Sequence, residues 1–403
     1  MIDYAAIEAA AERIAGLAIE TPLATSRSLS MTTGASVSFK HEIFQRTGAF
    51  KIRGAANRIL TLSAEARERG VITASAGNHA QGVALAGQEI GVDTTVIMPR
   101  GAAMSKISAT QSYGATVRLE GTDYSAAQQA AHELATAEGL TYVHAFDDPA
   151  VIAGQGTIGI EILEALPRTD TIVVPIGGGG LISGIATAVA GSDPSVRVIG
   201  VQAAGAASVP ESLKRGAIFE RDSVDTIADG IATRRVADRT FDIIQERVDD
   251  VVTVSDDAIA NAVTRLLDRE KVMVEPAGAV GVAALLTDAF DYDEDEVIVP
   301  VLSGGNIDLN VLTTVILRGL VQTGRYAKLR TILKDRPGAL EHLSSNIAAL
   351  DANIYAIRHD RTSRNVAMNA AEVELELETR GEDHLQSVIA GLESAGYTIT
   401  LVE

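Results

Sequence analysis

Four segments of the sequence carry residue types that can do chemistry. The first, Thr47-Gly48-Ala49-Phe50-Lys51-Ile52-Arg53-Gly54, sets a lysine among small and apolar neighbours, in a chain where only seven of the 34 basic residues are lysine. An amine withdrawn from water loses its preference for the ammonium form, and a lowered pKa is what Schiff-base formation requires. The second, Ser75-Ala76-Gly77-Asn78-His79-Ala80-Gln81-Gly82, follows a short apolar run. Small residues entering a helix leave backbone amides free for an anion, and Ser75, Asn78 and His79 add side-chain hydrogen bonds. The competing reading is a helix cap with a satisfied histidine. The third is Gly177-Gly178-Gly179-Gly180-Leu181. Successive glycines let amides curl around a phosphate that then rests on the following helix dipole. Neither a Walker pattern nor the dinucleotide spacing fits, so a bare phosphate cradle remains. The fourth, Ser303-Gly304-Gly305-Asn306, places a serine where it can hydrogen-bond a ring nitrogen without charging it, or simply start a loop.

These segments share a setting. Residues 71–73, 94–98, 116–119, 171–176, 196–201 and 297–302 read as buried parallel strands, and residues 80–90, 124–138 and 181–190 as helices between them. Strand, glycine-containing turn and helix in alternation predict an α/β fold with parallel sheets, in which functional groups gather where strands end and loops enter helices. Near Thr323-Gly324 the pattern changes. Residues 326–333 read as a strand, Asp335-Arg336-Pro337-Gly338 as a turn opening a helix to about Leu350, and residues 353–359 as a second strand. Val373, Leu375 and Leu377 alternate with glutamates, residues 384–395 are helical, and residues 398–402 form a last strand. The order βαββαβ predicts a ferredoxin-like unit.

Bulk composition narrows the function. At 403 residues and 46% hydrophobic, the chain fills two or three cores and is far from disorder. A formal charge of −19 argues against nucleic acid and anionic membrane as partners. Acidity with few lysines fits a salt-rich cytoplasm or simply a soluble acidic enzyme. No apolar run reaches eighteen residues and the start lacks a basic n-region, so a cytoplasmic protein is expected. The absence of cysteine excludes disulfides, thiolate metal sites and cysteine nucleophiles.

Taken together and in this order, the four segments resemble those of the fold-type II pyridoxal 5'-phosphate (PLP) enzymes, in the threonine dehydratase and serine racemase branch, across residues 2–322. The Asp-Arg-Pro-Gly turn with Ala339 and Leu340 resembles the ACT regulatory domain, so the whole chain looks like the single-ACT form of threonine dehydratase (threonine ammonia-lyase). The resemblance implies a catalytic body over residues 1–322, two parallel-sheet α/β subdomains with the smaller, about 40–145, inserted in the larger. An ACT-like domain follows over residues 325–403. It implies that Lys51 forms the Schiff base with PLP, Phe50 packs on the ring, Asn78 bonds the ring hydroxyl, Gly177, Gly178, Gly179, Gly180 and Leu181 hold the phosphate, and Ser303 faces the pyridine nitrogen. Ser75, Asn78 and His79 would receive the carboxylate of an amino-acid substrate. It further implies an amino-acid or nucleotide effector, a homodimer or homotetramer, and no metal. Serine racemases carry a serine at the position of Ala76 and two acids at those of Gln202 and Ser208, which favours dehydration here. A catalytically silent amino-acid sensor and a threonine synthase are the alternatives. Intact Lys51 and glycine cradle oppose the first, and the lack of an extra basic cluster near these motifs opposes the second.

Overall fold

The computed structural model describes residues 2–362 and 366–402. The chain divides into two compact units, Met1–Leu309 and Asn310–Glu403. The first holds strands β1 (Leu23–Thr25), β2 (Ser36–His41), β3 (Val71–Ala74), β4 (Thr94–Met98), β5 (Thr116–Leu119), β6 (Thr141–Tyr142), β7 (Thr171–Pro175), β8 (Arg197–Ala203), β9 (Asp250–Val254) and β10 (Val297–Leu302). They form two sheets. One has the order β1-β2-β10-β7-β8-β9, parallel except for the β1–β2 pair, and the other is β5-β4-β3-β6, parallel throughout. Every residue of β7 and β10 is buried, as expected of Val- and Ile-rich strands covered on both faces. The strand expected at 196–201 runs Arg197–Ala203, and the helix expected at 181–190 runs Gly180–Ser192.

The second unit contains β11 (Tyr326–Lys334), β12 (Asn353–Asp360), β13 (Ala370–Glu378) and β14 (Thr400–Val402), with helices Ala339–Ala349 and Glu382–Ser394. Its sheet is antiparallel in the order β12-β13-β11-β14. In β13 the residues Ala371, Val373, Leu375 and Leu377 are buried, and the glutamates between them point to the other face. Leu329, Leu343, Ile347, Val388 and Leu392 complete the core under the helices. Gly338 precedes the first helix in the left-handed conformation, φ 84°, which explains a glycine at the end of the Asp-Arg-Pro-Gly turn. Among the described residues, no helix is long and apolar enough to cross a membrane.

A buried charge cluster fixes the helix Lys51–Leu60 to the body of the first unit. Arg53 donates from Nε and Nη2 to the two oxygens of Glu42, both at 2.8 Å. It also reaches Glu161 (2.5 and 2.8 Å), Thr157 (3.0 Å) and the Ile19 carbonyl (3.1 Å). Lys40 donates to Glu161 (2.5 Å) and to the Thr21 carbonyl (2.7 Å). Two cations meet two carboxylates, so the cluster is neutral, and the guanidinium fork is filled from several elements at once. Removing one member leaves the others charged and dry. Arg53→Ala is therefore expected to destabilise the protein by about 3–5 kcal/mol, read as a lower denaturation midpoint. An unchanged midpoint would show that the cluster has no such role.

Candidate active site

Lys51 opens the helix Lys51–Leu60 directly after Phe50. The segment before it is tied to the end of β10. Phe50 N donates to Ser303 O (3.1 Å), Gly305 N donates to Gly48 O (2.9 Å), and Ala49 bridges Gly304. Gly82, on the helix Asn78–Ile90, presses against the other side, where a β-carbon would stand 3.0 Å from the Lys51 carbonyl carbon. The amine Nζ donates to the Ala145 carbonyl at 3.1 Å and lies 5.0 Å from the centre of the Phe50 ring. Burial lowers its pKa to about 8, against the pull of the Glu275 carboxylate in the opposite direction. A fraction of this amine is thus neutral at physiological pH, as a nucleophile or proton acceptor needs to be.

The run Gly177 to Gly180 turns from β7 into the helix Gly180–Ser192, with Gly179 at φ 92°. The loop has no room for side chains. A β-carbon on Gly178 would enter the Phe146 ring, one on Gly179 would lie 2.8 Å from Thr240 Cβ, and one on Gly180 would lie 2.9 Å from Phe146 Cβ. Thr240 Oγ1 fixes the turn by donating to Gly178 O at 2.8 Å, and Leu181 is buried beneath it. Among the described residues, no carbonyl or side chain accepts from the amides of Gly177, Gly178 and Gly179. Free amides at a helix N-terminus in a side-chain-free cradle fit a phosphate.

The remaining segments stand at neighbouring strand ends. Ser303, buried after β10, gives its carbonyl to Phe50, and its hydroxyl has no partner among the described residues. Ser75, after β3, accepts from Gly77 N at 3.2 Å through its own hydroxyl. Gly77 caps the helix Asn78–Ile90 without a side-chain bond, so the capping alternative for Asn78 does not describe it. Asn78 donates instead to Glu275 Oε1 (2.7 Å) and accepts from Asn306 Nδ2 (2.9 Å). His79 is different. Its Nε2 lies 3.0 Å from the Val143 carbonyl, and burial, then the nearby Lys51, lowers its pKa to about 3. The ring is neutral, with Nε2 held by the backbone and Nδ1 buried without a partner among the described residues, and the His79 amide lies in the helix's first turn, where amides can meet a carboxylate.

Other residues here escaped the sequence analysis. Ala145 contributes only a carbonyl, and Phe146 only a ring packed on the glycines. Neither residue type advertises such a role. Glu275 is buried at the N-terminus of the helix Pro276–Leu286 and is pushed up to about 7 by burial. A carboxylate immediately before a proline at the first helical position was the available signal.

A family model described as pyridoxal-phosphate dependent enzyme matches residues 14–304. The chain belongs to that family. A second model, ACT domain, matches residues 323–400. The chain is 46% identical over 402 residues to the L-threonine ammonia-lyase of Thermotoga maritima and 47% identical over 403 residues to that of Geobacter sulfurreducens, with both chains fully covered in each case. The structure of maize serine racemase is similar with a TM-score of 0.75 and 38% identity, covering 80% of this chain and 98% of that one. The family's cofactor is PLP, and the glycine cradle, the unpartnered Ser303 hydroxyl and the desolvated amine fit its phosphate, ring nitrogen and aldehyde. Because the Lys51 pKa is depressed to about 8, the rate of PLP uptake by apoprotein, followed by absorbance, should rise with pH to a midpoint at about 8 and then level off. A midpoint near the ordinary value of 10.5 would contradict the desolvation argument.

Proposed function

We propose that this enzyme converts L-threonine to 2-oxobutanoate and ammonia, and acts more slowly on L-serine to give pyruvate. The observation that carries the reading is a desolvated Lys51 beside a phosphate cradle, in a chain that matches L-threonine ammonia-lyases over its whole length. Bound PLP supplies the electron sink that makes the substrate Cα proton removable.

The chain's residues do the rest. Gly177 to Leu181 would hold the phosphate, Phe50 would line the ring, Asn78 would meet the ring oxygen, and Ser303 would offer the ring nitrogen a neutral hydroxyl. Such a hydroxyl does not stabilise positive charge on the ring nitrogen, which favours prompt loss of a β-substituent over long-lived charge storage. The loop at Ser75, Asn78 and His79 receives the substrate carboxylate. Lys51 Nζ takes the Cα proton, the Cβ–O bond breaks, and the hydroxyl leaves as water after gaining a proton. The amino-enoate released tautomerises, adds water and loses ammonia, leaving the 2-oxo acid. Ala76 has no proton to give from the opposite face, which favours elimination over racemisation. Threonine and serine differ by one methyl group, so the pocket discriminates between them only modestly.

The ACT domain takes a small-molecule effector, for which an amino acid or a nucleotide is the proposed class. Pairing of tails in a homodimer or homotetramer, and a cytoplasmic home for this cysteine-free chain, belong to the same reading. The turn at Asp335 to Gly338, which opens the helix Ala339–Ala349, is the proposed place for that effector, with Asn353 on the next strand, where its amide donates to Glu378 at 2.7 Å. To test the activity, purified protein with PLP should produce 2-oxobutanoate and ammonia from L-threonine, and Lys51→Ala should abolish turnover by several orders of magnitude. Little D-serine should form from L-serine. Undiminished turnover in Lys51→Ala, or D-serine as the main product, would overturn the reading.

A further inference from the structure

Asn78 stands where two chains of hydrogen bonds meet, and both run in one direction. Its Nδ2 donates to Glu275 Oε1 at 2.7 Å, and its Oδ1 accepts from Asn306 Nδ2 at 2.9 Å. The same Asn306 nitrogen donates to the Thr47 carbonyl at 2.6 Å. The Thr47 carbonyl can only accept, and Glu275 accepts from Asn78 through Oε1 whether or not its other oxygen carries a proton, so the two ends of this relay orient the amides between them. Thr47 O fixes the Asn306 amide with its nitrogen inward, that nitrogen requires the oxygen of Asn78, and the Glu275 carboxylate requires its nitrogen. Turning the Asn78 amide over would set oxygen against carboxylate at one end and N–H against N–H at the other. Glu275 is itself held in place. Its backbone N donates to Gly304 O at 3.0 Å, and its side chain lies so close to Gly304 that a β-carbon there would collide with Oε1.

We infer that Glu275 is a positioning residue that acts through Asn78, fixing its amide so that an N–H, and never the carbonyl oxygen, faces the ring oxygen of the cofactor. This rests on the reading of Asn78 as the residue that meets that oxygen. The geometry leaves one Nδ2 hydrogen of Asn78 without an acceptor among the described residues, and an anionic ring oxygen is the acceptor it suits. The charges facing Glu275 come from Lys106, Asp229 and Lys51. Lys106 and Lys51 are donors and cannot replace an acceptor at the Asn78 nitrogen, and the hydrogen-bond partner that Asn78 Nδ2 has there is Glu275.

The relay makes a prediction that separates it from a simple charge effect. PLP is titrated into apoprotein, and its apparent dissociation constant is read from the absorbance of the lysine-bound cofactor. Glu275→Met, which keeps the bulk and removes the acceptor, is expected to weaken PLP binding by about tenfold or more. Glu275→Gln, which keeps an acceptor and removes the charge, is expected to recover most of that loss. In an Asn78→Ala background Glu275→Met should add nothing further, because the residue it acts through has gone. Full additivity of the two substitutions, a Gln variant as poor as the Met variant, or a Met variant with parental affinity would each overturn the inference while leaving the cofactor assignment intact. A parent protein that takes up no PLP would overturn both.

Discussion

The position of the Lys51 amine is set by a backbone clasp between two stretches some 250 residues apart. Phe50 N binds Ser303 O, Gly305 N binds Gly48 O, and Ala49 bridges Gly304. Backbone bonds of this kind specify register, so the loop before Lys51 cannot slide relative to the end of β10 without losing them together. The charge cluster around Arg53 then locks the helix two residues beyond the amine. With both sides held, Lys51 follows a loop tied to the end of β10 and lies close to Phe50 and to the Ala145 carbonyl. Desolvation lowers its pKa even though the residue as a whole is only half-buried. The reactivity of the amine is thus a consequence of how rigidly its neighbours are tied.

Most of this frame was legible in the sequence because it is encoded locally. The strands β3, β7 and β10 that lead into the site are short apolar runs soon followed by serine or glycine, whereas β6 and β9 left no such mark, and the four consecutive glycines cannot be read as anything but a backbone device. Lys51 stood out through its small neighbours and the scarcity of lysine. What escaped is encoded at long range. Glu275 meets Asn78 across 197 positions, and Arg53 meets Glu161 across 108. A single glutamate in an acidic chain carries no local mark of such a contact. Ala145 escaped for another reason, because it acts through a carbonyl that every residue possesses. His79 shows the converse: a residue type that suggests chemistry is held neutral by burial and bonded to Val143.

The similarity to maize serine racemase shows how little the fold alone says about the outcome at the substrate. One scaffold can remove the same Cα proton and then either return it from the other face or let a β-substituent go. Ala76 has no proton to return. The loop from Gln202 to Ser208 is closed without an acidic pair: Gln202 Oε1 accepts the amides of Ser208 (3.0 Å) and Val209 (2.8 Å).

We propose that Lys51, and no other lysine, carries the cofactor. Reducing the PLP-loaded protein with borohydride and mapping its peptides by mass spectrometry tests that claim directly. The account predicts the reduced phosphopyridoxyl group on the peptide containing Lys51 at close to one per chain, with Lys40 and Lys106 unlabelled. Labelling at Lys40 or Lys106, or stable cofactor retention with no lysine modified, would contradict it.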